Sequence, residues 1–200
     1  MDYKNFTGKM GSKDYLKFAL LSLMEEKSIY KITVKELCDR AMINRSTFYD
    51  NYENLDDFFD HVIKDVAYGL VRDIDKGREL ADMLTDKEVA KSRYTRWYQH
   101  VHDHYDEFRL LMGDNGTPVF RDFLIKQGLE WYTQLLAPIM SRYKNTISLD
   151  ILVNYIIGAH MGLLEYYVNS EMKYSVEYMS DQMVNITMAG PYSLLNLYDE

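Results

Sequence analysis

The chain has 200 residues and a formal net charge of -8, which suits one compact domain or a small module fused to a larger one. Hydrophobic residues at 47% beside 27% charged residues exclude disorder over most of the length. A lone Cys38 excludes an internal disulfide framework and a Cys-based zinc site, and fits a reducing compartment.

Three Pro, ten Gly and no strand-like alternation predict an all-α fold. The N-terminus MDYKNFTGKMGSKDY has no apolar stretch of the kind a signal peptide needs, so the cytoplasm is the expected compartment. The longest apolar run, residues 151–164, is interrupted by Asn154 and His160. It falls short of the roughly 20 residues that span a bilayer, so no membrane anchor is expected.

In chain order, the first helix is predicted over residues 12–27, with Ser12 as its cap and Leu16, Ala19, Leu20, Leu23 and Met24 at three- and four-residue spacing. A short helix over 34–41 follows, capped by Thr33, with Val34, Leu37, Cys38 and Ala41 on its inner face. Residues 42–44 form a tight turn. Asn44 then caps a third helix, RSTFYDNY, on which Phe48 and Tyr52 lie four apart on one face. Two short helices around so tight a turn make a helix-turn-helix, whose second member presents its N-terminal side chains to a major groove. Asn54 caps a long fourth helix over 55–74, with acids in its first turn where the helix dipole favours them.

Longer helices follow. One is predicted over 87–112 with a break near Tyr105, then a loop over 113–118 and a helix over 119–143 that Pro138 bends or ends. Residues 148–170 form a strongly apolar helix, and Ser175 caps a last one that Gly190 and Pro191 terminate.

Residues 32–59, ITVKELCDRAMINRSTFYDNYENLDDFF, resemble the signature of the TetR family of bacterial transcriptional regulators. The resemblance rests on a Thr-capped second helix, a turn, a Thr-Phe-Tyr recognition helix and aromatics leading into the fourth helix. It covers about a third of the chain when the first helix is included. Three positions depart from that pattern: Met42 and Ser28 stand where Gly is usual, and Leu55 where a phosphate-binding Lys is frequent. Met42 must therefore bear a positive φ, or the turn is built differently. The loss of a Lys at Leu55 removes one phosphate contact.

The resemblance implies a division into a helix-turn-helix head, residues 1–53, and a helical effector-binding and dimerisation domain, residues 54–200. It assigns Thr33, Lys35, Thr47, Tyr49 and Asn51 to phosphates and Asn44 to the cap of the recognition helix, and it points Arg45 and Ser46 at base edges. A good bidentate base contact discriminates by about 1–3 kcal/mol. Lys4, Lys9 and Lys13 are candidates for a basic arm. Residues 1–49 hold nine Lys or Arg against six Asp or Glu, so a cationic head precedes an acidic body.

Downstream, the resemblance implies an effector pocket between the middle helices. Its candidate residues are Tyr94, Trp97, Tyr98, His100, Tyr105, Phe108 and Trp131, with Tyr132 and Arg109 as further candidates. It also implies a four-helix dimer bundle from the last two helices, and Ile151, Tyr155, Gly158, Gly162, Tyr166, Met179 and Met183 are the candidate interface. His100 and His104, four apart, have metal-ligand spacing, but no third ligand is evident and no metal or cofactor is expected. No catalytic triad, paired carboxylates or phosphate loop stands out, which argues against an enzyme. The reading that follows is a dimeric repressor of a palindromic double-stranded operator, released by a small-molecule effector. The alternative is a dimeric protein-interaction module of the same fold with weak or no DNA binding.

Overall fold

The computed structural model describes residues 11–74, 84, 86–141 and 147–190. The candidate arm residues Lys4 and Lys9, and Pro191, lie outside them. The described residues form nine α-helices and no strand: α1 Ser12–Met24, α2 Val34–Ala41, α3 Arg45–Tyr49, α4 Leu55–Ile74, α5 Lys87–Asp103, α6 Tyr105–Met112, α7 Pro118–Met140, α8 Leu149–Asn169 and α9 Val176–Ala189. A single 3-10 turn, Ile29–Lys31, lies between α1 and α2.

Most predicted caps form. Thr33 Oγ accepts from the Glu36 amide, Asn44 and Ser175 cap α3 and α9 in the same way, and Asn54 accepts from the Asp57 amide at 3.0 Å at the start of α4; Asp86, which the sequence reading did not single out, caps α5. Ser12 does not cap α1. It is the first helical residue, and the Gly11 amide instead donates to Asp14 at 2.9 Å. The break between α5 and α6 falls at His104, next to the predicted site. Pro138 does not end α7, because it sits in the last turn of a helix that runs on to Met140.

The described residues divide into two compact units. The first takes the chain up to Val66 together with Asp106–Arg121, and the second takes Ala67–Tyr105 and the chain from Asp122 onward. The first unit thus takes in more of the chain than residues 1–53, for a reason visible in its hydrogen bonds. Asn115 accepts from the Ile29 amide at 2.9 Å and donates from Nδ2 to the Met24 carbonyl at 2.8 Å. Tyr30 and Thr117 hydroxyls meet at 2.7 Å, Arg109 pairs with Glu25, and Lys17 pairs with Glu107 at 2.9 Å. These contacts fasten α6 and the loop after it to α1 and the 3-10 turn, a long-range pairing that local periodicity does not reveal.

The core of the first unit is apolar and aromatic. Leu16, Leu20, Leu37 and Phe58 are fully buried, and Phe48, Tyr52 and Phe58 form a triangle with ring centroids 5.0–5.9 Å apart. In the second unit, α9 packs along α5 and Lys91 pairs with Asp181 between them at 2.6 Å. Helix α8 is 21 residues long and by length and composition apolar enough to cross a membrane, longer than the interrupted run in the sequence suggests. Its inner side, Val153, Ile157, His160, Met161, Leu164, Tyr167 and Val168, is buried in the unit's core.

Candidate functional site

The turn between α2 and α3 determines how the third helix is presented. Met42 takes φ 55°, ψ 38°, the left-handed region, and its side chain is 94% exposed. The Ile43 amide reaches back to the Cys38 carbonyl at 3.0 Å, and the Met42 amide to Asp39 at 3.3 Å. This is the Schellman ending that ordinarily uses Gly. Met42 therefore bears the positive φ, and the turn keeps the geometry that a Gly would give it.

The start of α2 is held by a reciprocal box. Glu36 accepts from the Thr33 amide at 3.0 Å and from its hydroxyl at 2.8 Å. The Lys27 ammonium also bonds Glu36, and together with Thr33 it lowers the Glu36 carboxyl to a pKa of about 2. Arg40 ties α2 to α1 through Ser22 at 2.6 Å and Glu26 at 2.8 Å.

On α3, Phe48 is fully buried while Arg45, Ser46 and Tyr49 are exposed and Thr47 is half-buried. Asn44 accepts from the Ser46 amide at 3.2 Å, and Asn51 donates to the Thr47 carbonyl at 2.8 Å, so both amide side chains fasten the ends of this short helix. Lys35 is exposed on α2. Lys13, the described member of the candidate basic arm, lies 5.8 Å from the Tyr52 ring.

In the second unit, a cavity of about 130 Å³ is lined by Leu70 and Val71 of α4 and by Arg93, Tyr94 and Trp97 of α5. The rest of its wall is Leu124, Gln127, Gly128, Trp131 and Tyr132 of α7, with Ile157, His160, Met161 and Leu164 of α8. His160 stacks on Tyr132 with centroids 5.4 Å apart, and its Nε2 lies 3.2 Å from the Tyr94 hydroxyl. Burial lowers its pKa to about 4, so the ring is neutral at pH 7. The Tyr94 hydroxyl also meets Thr187 at 3.2 Å. Burial raises the Tyr94 pKa and holds that of Tyr132 well above the usual phenol value.

Of the pocket candidates, Tyr94, Trp97 and Trp131 line this cavity, as does Tyr132. The other five do not; Arg109 belongs to the first unit, where it pairs with Glu25. Tyr98 is fully buried against Tyr167, with centroids 5.1 Å apart. His100 stacks on His104 at 4.4 Å, and a Cβ on Gly69 would come within 3.2 Å of its ring. Tyr105 is absent from the cavity wall. Phe108 packs on Phe120 in the first unit, 5.7 Å away, because α6 belongs there. Arg93 and His160 belong to the wall and were missed as candidates. The signal for His160 was available, since it is a polar residue on the otherwise apolar inner side of α8.

The candidate dimer residues separate into two groups. Ile151, Tyr155, Gly158, Gly162 and Tyr166 lie on the exposed side of α8, and a Cβ at either Gly would meet nothing within 4 Å. Met179 and Met183, by contrast, are only 3% and 1% exposed. They are core residues, because the stripe they form on α9 faces inward. The exposed large hydrophobic residues of α9 are Tyr178 and Met188.

Fold and head together define an all-helical helix-turn-helix protein with a second helical unit. A family model described as the transcriptional regulator C-terminal region matches residues 88–189, half of the chain, and the chain belongs to the TetR family of transcriptional regulators. It is 27% identical over 173 residues to the uncharacterized HTH-type transcriptional regulator YxbF of Bacillus subtilis (strain 168), with 84% of the chain covered. The match takes in 42% of that protein, so the chain spans less than half the length of the curated relative.

Among solved structures, the fatty acid degradation regulator FadR from Bacillus halodurans superposes with a TM-score of 0.68 at 14% identity, covering 92% of this chain and 98% of that one. FadR from Bacillus subtilis in complex with stearoyl-CoA gives 0.62 at 14% identity, covering 89% and 98%. At these identities the likeness is one of fold.

Proposed function

We propose that the chain is a DNA-binding transcriptional repressor that acts as a homodimer in the cytoplasm and is released from a palindromic operator by a small-molecule effector. The observation that carries this reading is α3. Its apolar Phe48 is spent on the core, while Arg45, Ser46 and Tyr49 stand exposed at the end of a turn that keeps its shape despite Met42. Arg45 and Ser46 read base edges; Thr33, Lys35, Thr47 and Tyr49 hold phosphates, and Asn44 and Asn51 hold the helix between them.

The exposed side of α8 supports self-association, because two glycines with open space above them let a second helix approach closely between Ile151, Tyr155 and Tyr166. Twofold symmetry of the protein then requires a twofold operator. The cavity supports effector control, in which occupancy shifts the population of DNA-competent dimers.

Selection of genomic fragments by the purified protein, followed by footprinting, tests the reading. The expected result is a protected inverted repeat. Failure to enrich any fragment, by a protein that is dimeric in light scattering, would favour the interaction module.

A further inference from the structure

The chemistry of the cavity's own wall limits what can occupy it. We propose that the cavity takes an uncharged, largely apolar molecule, and that Gly128 sets the room this guest finds. The inference rests on the reading of this cavity as the effector site.

The lining is the first argument. Most of the wall is aliphatic or aromatic, with Leu70, Leu124 and Leu164 beside Trp97 and Trp131. Its polar groups are largely engaged by the protein. Tyr94 meets His160 and Thr187, each at 3.2 Å, and the guanidinium of the buried Arg93 is held within the protein, 5.9 Å from the Trp131 ring. Gln127 adds an amide, which pairs with a hydroxyl or carbonyl and needs no charge. Among the described lining residues none is acidic, so a cation has no counter-charge there. A guest gains by removing apolar surface from water, and one that carries a charge between these walls gives up hydration that the wall does not replace.

The wall's effect on its own ionisable groups is the second. Burial lowers the His160 pKa to about 4 and raises those of Tyr94 and Tyr132 above the ordinary phenol value. The same surroundings thus disfavour a positive charge on an imidazole and a negative charge on a phenol. Arg93 does not reverse this: its charge favours the Tyr132 phenolate, but burial outweighs it.

Space is the third. At about 130 Å³ the cavity is close to the roughly 150 Å³ of a dry apolar cavity that admits benzene. Val71, Trp97, Gln127 and Trp131 are half-buried, so the cavity opens to solvent and a longer guest continues outward; the neutral requirement applies to the part between the walls. A Cβ on Gly128 would come within 2.6 Å of Ile157 Cδ1, and both residues line the cavity. A methyl at this position therefore displaces the end of the Ile157 side chain and takes room from the guest.

The chain's two tryptophans, Trp97 and Trp131, both line the cavity, so intrinsic fluorescence reports its occupancy. The test titrates the full chain at pH 7 with two matched pairs, benzamide against benzoate and benzyl alcohol against benzylamine. The neutral member of each pair is expected to change the emission saturably and to bind about tenfold or more tighter than its charged isostere. Gly128→Ala should lose that saturable change. Met161→Phe, which fills the cavity from α8 and leaves Gly128 as it is, should lose it too.

Benzoate or benzylamine binding as tightly as its neutral isostere would overturn the assignment of an uncharged guest and leave the effector cavity standing. A saturable change undiminished in both filled variants would put the guest elsewhere and overturn this inference and the effector reading together, as would no saturable change with any of the four.

Discussion

Met42 offers a quantitative test of the head's construction. Its φ of 55° places an L-residue in the left-handed region, and its 94% exposure means that the side chain has almost no packing to lose. The left-handed conformation costs a residue with a Cβ about 1–2 kcal/mol. Gly removes that cost but loses more freedom on folding, about 0.5–1 kcal/mol relative to Ala. Met42→Gly should therefore stabilise the head by about 0.5–1 kcal/mol, or about 2–4 °C in Tm per kcal/mol for a chain of this size. Met42→Ala keeps the Cβ and should be nearly neutral. Urea titration followed by circular dichroism at 222 nm, with the first transition assigned to the head by limited proteolysis, measures both. A Met42→Gly protein no more stable than Met42→Ala would refute the assignment of strain to this turn.

Three further outcomes are expected. His160, whose pKa falls to about 4 from an ordinary 6.5, binds its proton more readily in the unfolded chain. Stability is therefore complete above pH 6.5 and declines as pH falls toward 4, by on the order of 3 kcal/mol at the limit. His160→Gln should flatten that part of a pH series of denaturant melts, and an unchanged slope would contradict the burial argument. Glu36, held at about 2 by Lys27 and Thr33, should lend the head stability that is present above pH 4.5 and lost toward pH 2. Glu36→Ala should remove that loss from amide hydrogen exchange of α2, whereas an identical profile would show the box to be inert. Tyr155→Asp places a charge on the open side of α8 and should shift light scattering toward monomer while the helical signal is retained; an undisturbed dimer would put the interface elsewhere.

The head was legible in the sequence because its signals are local. Thr33, Asn44 and the Phe48–Tyr52 spacing each specify geometry within a few residues, and Met42, standing where the pattern asks for Gly, marked the turn as needing either a positive φ or another construction, of which the structure has the first. The extent of the first compact unit was not legible, since Asn115, Thr117 and Arg109 reach back to Ile29, Met24, Tyr30 and Glu25 through contacts that no periodicity marks. The same limit applied to Phe108: its aromatic character suggested a pocket, but α6 lies in the first unit. Met179 and Met183 failed for another reason. A stripe on an amphipathic helix looks the same whether it meets its own chain or a second copy, and only the position of α5 decides between them. Arg93 was hidden because a cation on a helix is ordinarily solvated, and here the surrounding helices bury it.

The most direct test of the central claim is fluorescence anisotropy of the full chain against DNA from its own upstream region at two salt concentrations, beside Arg45→Ala and Tyr49→Phe. If α3 reads DNA, wild-type binding weakens with salt, Tyr49→Phe reduces it modestly, and Arg45→Ala abolishes the preference for one fragment over random DNA. Sequence-preferential binding that survives intact in Arg45→Ala would contradict the account.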